Sequence, residues 1–118
     1  MARIANIAPV GSLLERKPRQ RDGRYLVAIR ELPCLICRVE PCREAAHVRM
    51  GSEAGMGRKP DDRRAAPLCH THHMQQHTGS ERQFWDEHRV DIEQVIRELV
   101  AAYPNIGTMR SIILRHAA

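Results

Sequence analysis

At 118 residues the chain has room for one domain with a small core, and with aromatics at only 3% large rings supply little of it, so a structural metal is a natural supplement. The formal charge of +5 is unevenly placed: residues 1–30 hold seven Arg or Lys against Glu15 and Asp22, and the rest of the chain is balanced. The opening "MARIANIAPVGSLL" makes a poor signal peptide and nowhere do eighteen apolar residues run together, so the expectation is a soluble cytoplasmic protein with no membrane partner.

Residues 1–21 read as an irregular basic arm broken by Pro9, Gly11 and Pro18, with Arg16, Lys17 and Arg19 near its end. Such an arm suits an approach to an anionic polymer, the plain alternative being a solvated segment that aids solubility. Residues 22–118 read as the folded domain. "RYLVAIREL" (Arg24 to Leu32) predicts a short helix that stops before Pro33. "PCLICRVEPC" reads as a knuckle, a tight turn between two thiolate ligands, and "AAHVRM" as a strand carrying His47. "GSEAGMGRKPDDRR" is a loop, and "AAPL" returns as a second short strand.

From Cys69 to about His77 a helix is expected, closed by Gly79. Ser80 with Gln83, and Asp91 with Gln94, have the spacing of capping boxes ahead of two further helices. In the second of these, Ile92, Val95, Ile96, Leu99, Val100 and Tyr103 form one apolar stripe, the mark of a core-facing helix. After Pro104 a last short helix is expected from Thr108.

The cysteines lie beside histidines rather than in a secretory spacing, which favours metal ligation over disulfides. Cys34/Cys37 is a C-x2-C pair and Cys69/His72 a C-x2-H pair. Two such pairs supply the four tetrahedral N or S ligands of a structural zinc. Cys42 is a fifth candidate that fits the knuckle less well. His73 and His77, one helical turn apart, share a face and can grip a second divalent ion. His72 points roughly 100° away from His73 and can serve a different metal. Alone, such a pair is as readily two exposed polar residues.

"PCLIC…AAHVRMGSEAGMGRKPDD…APLCHTHHMQQH" resembles the HNH nucleases, the ββα-metal class, and more narrowly phage and prophage nucleases of the recombination-enhancement type. The resemblance spans about Leu32 to His77. It implies that His47 is the general base, that His73 and His77 bind the catalytic metal, and that Cys34, Cys37, Cys69 and His72 hold structural zinc. Many such enzymes carry a metal-binding Asp or His just before the base, where this chain has Ala46. The middle Asn position falls near Arg64, with Asp62 the nearest acidic group, able to ligate the metal or to orient His47. Arg49, Arg58, Lys59, Arg63 and Arg64 flank the motif and can hold neighbouring phosphates.

The expected architecture is a small α+β zinc-stabilised ββα-metal (HNH) core with an N-terminal basic arm and C-terminal helices. The expected activity is metal-dependent endonucleolytic hydrolysis of DNA, in a bacterial or phage-infected cell, with Mg²⁺, Mn²⁺, Ni²⁺ or Zn²⁺ at the catalytic site and recombination proteins as possible partners. The rival from another class is a non-catalytic zinc module that binds DNA, and a ribonuclease is a third reading.

Overall fold

A computed structural model describes residues 21–51 and 61–117. Residues 1–20 of the expected arm, with Arg16, Lys17 and Arg19, lie outside the described residues, as do Arg58 and Lys59. Described in chain order are helix α1 (Gly23–Glu31), strands β1 (Glu44–His47) and β2 (Ala65–Leu68), and helices α2 (His70–Gln76), α3 (Glu81–Glu87), α4 (Ile92–Ala102) and α5 (Ile106–His116). Among the described residues this is a small α+β fold of five helices and one two-stranded antiparallel sheet.

Helix α1 starts where the Asp22 side chain accepts the Tyr25 N–H, and it ends at Leu32 ahead of Pro33. Its buried residues Tyr25, Ala28 and Ile29 recur at helical spacing and turn one stripe toward the sheet. In the sheet Glu44 pairs with Leu68 and His47 with Ala65. The expected strand at "AAHVRM" thus sits earlier, ending at His47, although the Val48 N–H still reaches the Arg64 carbonyl at 2.8 Å. All four residues of β2 are buried, because α1 and α4 both pack against it.

The two expected capping boxes are half made. Ser80 and Asp91 accept the N–H groups of Gln83 and Gln94 at 3.2 and 3.1 Å. The glutamine side chains do not reach back; they donate instead to Glu87 and Glu98, one turn ahead. A carboxylate at i+4 is a charged acceptor, stronger than the cap's own backbone would be a donor to the amide oxygen. Helix α5 begins at Ile106, two residues before the expected start, since Asn105 caps it by accepting the Thr108 N–H. It is therefore as long as α4, against which it packs.

The core joins Tyr25, Ile29 and Leu32 of α1 and its end to Leu68, Trp85, Val95, Leu99, Met109 and Ile113. Of the expected α4 stripe, Ile92, Val95, Ile96 and Leu99 are buried, while Val100 and Tyr103 pack at its edge. Leu99 is fully enclosed, so Leu99→Ala removes contacts that the neighbours cannot restore by collapse. It should cost about 2–5 kcal/mol, read as a lower urea midpoint with unchanged slope.

Candidate metal centre and catalytic site

The knuckle begins at Cys34, whose N–H donates to the Val39 carbonyl at 2.8 Å while its own carbonyl accepts the Arg38 N–H at 2.9 Å. Arg38 closes the turn in the left-handed region at φ 67°. One further bond, Leu35 N–H to the Pro67 carbonyl at 2.9 Å, fastens the knuckle beside β2, two residues short of Cys69. Cys69 then caps α2 from an extended conformation, and its carbonyl accepts the His73 N–H. His72, on the first turn of α2, folds back to the same point.

The ligand atoms of Cys34, Cys37, Cys69 and His72 all lie within 4.8 Å of one another. Cys37 Sγ and Cys69 Sγ are 3.8 Å apart. His72 Nδ1 is 3.2 Å from Cys69 Sγ and 3.8 Å from Cys34 Sγ. A tetrahedral zinc with Zn–S of about 2.3 Å and Zn–N of about 2.0–2.1 Å sets sulfur–sulfur edges near ~3.8 Å and sulfur–nitrogen edges near ~3.5 Å. These three separations come close to the edges of one coordination tetrahedron, and the donor set suits zinc.

Electrostatics point the same way. Burial pushes the Cys34 thiol up, but N–H groups of the surrounding backbone outweigh it and hold it below the ordinary thiol range. Burial and the neighbouring Cys34 push Cys37 up; a cation at the centre relieves that repulsion. Burial, with help from His88, lowers His72 and favours the neutral imidazole that a metal needs. All four cysteines are free of disulfides. Cys42 stands apart: its thiol faces the carbonyls of Ile29, Arg30 and Glu44 at 3.3–3.6 Å, and burial raises it to about 11. It is a buried thiol of the core.

The second constellation lies along β1. At the end of the strand, His47 Nε2–H donates to Asp62 Oδ1 at 3.0 Å. Asp62 is 4% exposed, and its Oδ2 accepts the Asp22 N–H at 2.7 Å. Asp62 thus joins the His47 ring to the Asp22 backbone, with both oxygens engaged. With Nε2 protonated, the lone pair of His47 sits on Nδ1. At the start of the strand, Glu44 accepts from His73 Nδ1–H at 2.8 Å and from His70 Nδ1–H at 2.9 Å. His73, its largest influence, holds the Glu44 carboxyl below its usual range. The His73 and His77 rings stand 5.0 Å apart. Helix α2 follows β1 in the same sense, since Gln76 Nε2 donates to the His47 carbonyl at 3.1 Å.

Glu44 and Glu81 carry weight here that sequence reasoning missed. A donated Nδ1–H fixes the His73 tautomer and leaves Nε2 the acceptor nitrogen, an arrangement common behind metal-binding imidazoles. Glu44 is two residues before Ala46, so the strand period of 2 was a usable signal. Glu81 accepts the Arg49 and Met50 N–H groups at 3.1 and 3.0 Å with one oxygen, and Gln76 and Trp85 with the other. It locks the loop after His47 onto α2 and α3. Nothing in its local sequence announces that.

Two of the basic residues expected at phosphate are turned inward to partners. Arg63 holds Asp22 through Nε and Nη2 at 3.1 and 2.9 Å. Arg64 pairs with Glu93 at 2.7 Å and donates to the Val48 and Met50 carbonyls. Gly51 completes that loop at φ +76°, where an added Cβ would stand 2.5 Å from Glu93 Oε2. Arg49 is exposed beside the same loop. Among the described residues, His73 and His77 do not gather with a third ligand atom as closely as the cysteine quartet does.

No family model, no curated protein and no solved structure matches the chain. Among the described residues no helix is long and apolar enough to cross a membrane.

A structural zinc can carry about 10–16 kcal/mol of apparent binding energy, comparable to the ~5–15 kcal/mol stability of a whole domain. Cys37→Ser should therefore lose one zinc per chain by mass spectrometry and most of the cooperative melt. Cys42→Ala should keep the zinc. Equal zinc content in Cys37→Ser and the parent would remove the quartet assignment.

Proposed function

We propose that the protein is a metal-dependent endonuclease of the HNH, ββα-metal type that nicks or cuts DNA, of the kind phages use in recombination or DNA processing. The observation that carries this reading is the His47–Asp62 pair, a buried carboxylate aiming an imidazole whose other nitrogen is left to act as a base. It stands on a two-strand, one-helix unit whose helix bears a carboxylate-supported histidine. The motif resemblance supplies the family, and its cytoplasmic setting in a bacterium or infected host goes with it.

In this reading the zinc quartet sets the axis of α2 and thereby where His73 and His77 stand. Those two histidines hold the catalytic ion, His73 through Nε2 with Glu44 behind it. A divalent ion held there supplies Lewis-acid neutralisation of the scissile phosphate and of the leaving oxygen. His47 Nδ1 takes the proton of the attacking water, and Asp62 stabilises the imidazolium that results. Arg49, with Arg58 and Lys59 further along, holds phosphates on either side. The arm with Arg16, Lys17 and Arg19 adds sequence-independent contacts.

The rival is a non-catalytic zinc module that binds DNA. Ala46 in the position of a metal ligand, and the inward pairing of Arg64 with Glu93, are the observations in its favour.

Purified protein incubated with supercoiled plasmid and Mg²⁺, Mn²⁺, Ni²⁺ or Zn²⁺ decides between them. His47→Ala should keep zinc, fold and DNA affinity yet cut about 10²–10⁴-fold more slowly. His73→Ala should also stop cleavage, but by weakening the second metal while the quartet keeps its zinc. A parent that shifts DNA and cuts none, single- or double-stranded, establishes the binding module. Removing residues 1–21 should weaken DNA binding and flatten its salt dependence; equal slopes would reduce the arm to a solubiliser.

A further inference from the structure

We propose that Arg63 is a positioning residue for the His47–Asp62 pair, and that its guanidinium works on the protein rather than on phosphate. The proposal rests on His47 as the base of the reading above. It starts from an awkward pair of carboxylates. Asp22 gives its backbone N–H to Asp62 Oδ2, which brings a second acidic side chain beside the one that aims His47. Two like charges side by side push each other apart.

Arg63 resolves the conflict by geometry. Its Nε and Nη2 both donate to Asp22 Oδ2, while Asp22 Oδ1 accepts the Tyr25 N–H and caps α1. The Asp22 carboxylate is thus drawn off toward Arg63 and the helix end, leaving only its N–H to face Asp62. The guanidinium carbon lies 5.5 Å from the Tyr25 ring centre and 5.6 Å from that of Tyr103. Those rings meet edge to face at 5.0 Å. Tyr25 is fully buried on α1 and Tyr103 closes α4, so both rings beside the guanidinium belong to fixed elements. An arginine that donates twice to one carboxylate beside two aromatic rings fills a role that lysine cannot copy.

The chain of contacts is therefore Arg63 to Asp22, Asp22 N–H to Asp62, and Asp62 to His47. Without Arg63, the Asp22 carboxylate loses the guanidinium that draws it away from Asp62. Asp22 swings, the N–H leaves Asp62 Oδ2, and Asp62 is no longer held against His47 Nε2. His47 then samples both neutral tautomers, and in one of them the proton sits on the nitrogen that has to accept one.

The test reads His47 directly. Zinc-loaded, ¹⁵N-labelled protein should show one His47 tautomer, Nε2–H, with its signals assigned by their loss in His47→Ala. In Arg63→Ala the tautomers should mix and plasmid nicking should fall ten- to a hundredfold, on the order of what misplacing a catalytic group costs. Its affinity for uncut DNA and its salt slope should match the parent. Arg63→Lys keeps the charge without the fork and should fall between the two, which covers a failure of Arg63→Ala to fold. An unchanged tautomer with a salt slope reduced by about one would make Arg63 a phosphate ligand and overturn the proposal. A lower melting temperature with an unchanged tautomer would overturn it too, leaving Arg63 a structural brace. A parent that cuts nothing overturns the nuclease reading alone, since the His47 spectrum still decides the role of Arg63.

Discussion

Everything in this fold depends on bringing two chain segments more than thirty residues apart to one point, where three sulfurs and one nitrogen gather as the corners of a tetrahedron would. The backbone prepares the meeting with a single bond, Leu35 N–H to the Pro67 carbonyl. A core with one tryptophan and one phenylalanine has little apolar area with which to hold such a convergence. Ligand bonds are stronger per residue than side-chain burial, so a small chain gains most from placing them where its own core is thin. Helix α1, the sheet and the α4–α5 pair then pack around a point that is already defined.

The short helix α2 is used on several sides at once. His72 turns to the cysteines, His73 and His70 to Glu44, and Gln76 inward to the His47 carbonyl and Glu81. Seven residues cannot supply a helix with much stability of its own. Its position is imposed from outside, by Cys69 at one end and by the Gln76–Glu81 contact near the other. The candidate catalytic side chains therefore inherit their precision from contacts that take no part in chemistry.

Much of this was legible in the residues. C-x2-C and C-x2-H spacings foretold the quartet because ligand geometry is local to each pair, and α4 was legible because a buried stripe repeats with the helix period. The link between Asp62 and His47 could be named only as one of two options, since fifteen residues separate them and no spacing rule covers a loop. Strand period alone puts Glu44 on the Ala46 face, but its partner on α2, like those of Glu81, is set by how α2 and α3 lie against β1, which is tertiary information. Arg63 and Arg64 carry a further lesson: charge near a motif does not reveal its partner, and here Asp22 and Glu93 pair with them across the fold.

His72 and His73 are neighbours in the chain yet serve separate constellations, facing the cysteines and Glu44 respectively. A helix advances about 100° per residue, so the angle between the two centres is written into the peptide bond that joins them. Inserting or deleting one residue between Cys69 and His72 would turn every later side chain of the helix by that angle, and both constellations would fail together; a change between His73 and His77 would spare the cysteines and break the second constellation alone. Drift in length is thus barred from this stretch even where drift in residue type is allowed: Thr71, Met74 and Gln75 are free to vary in chemistry provided that they remain three residues in number.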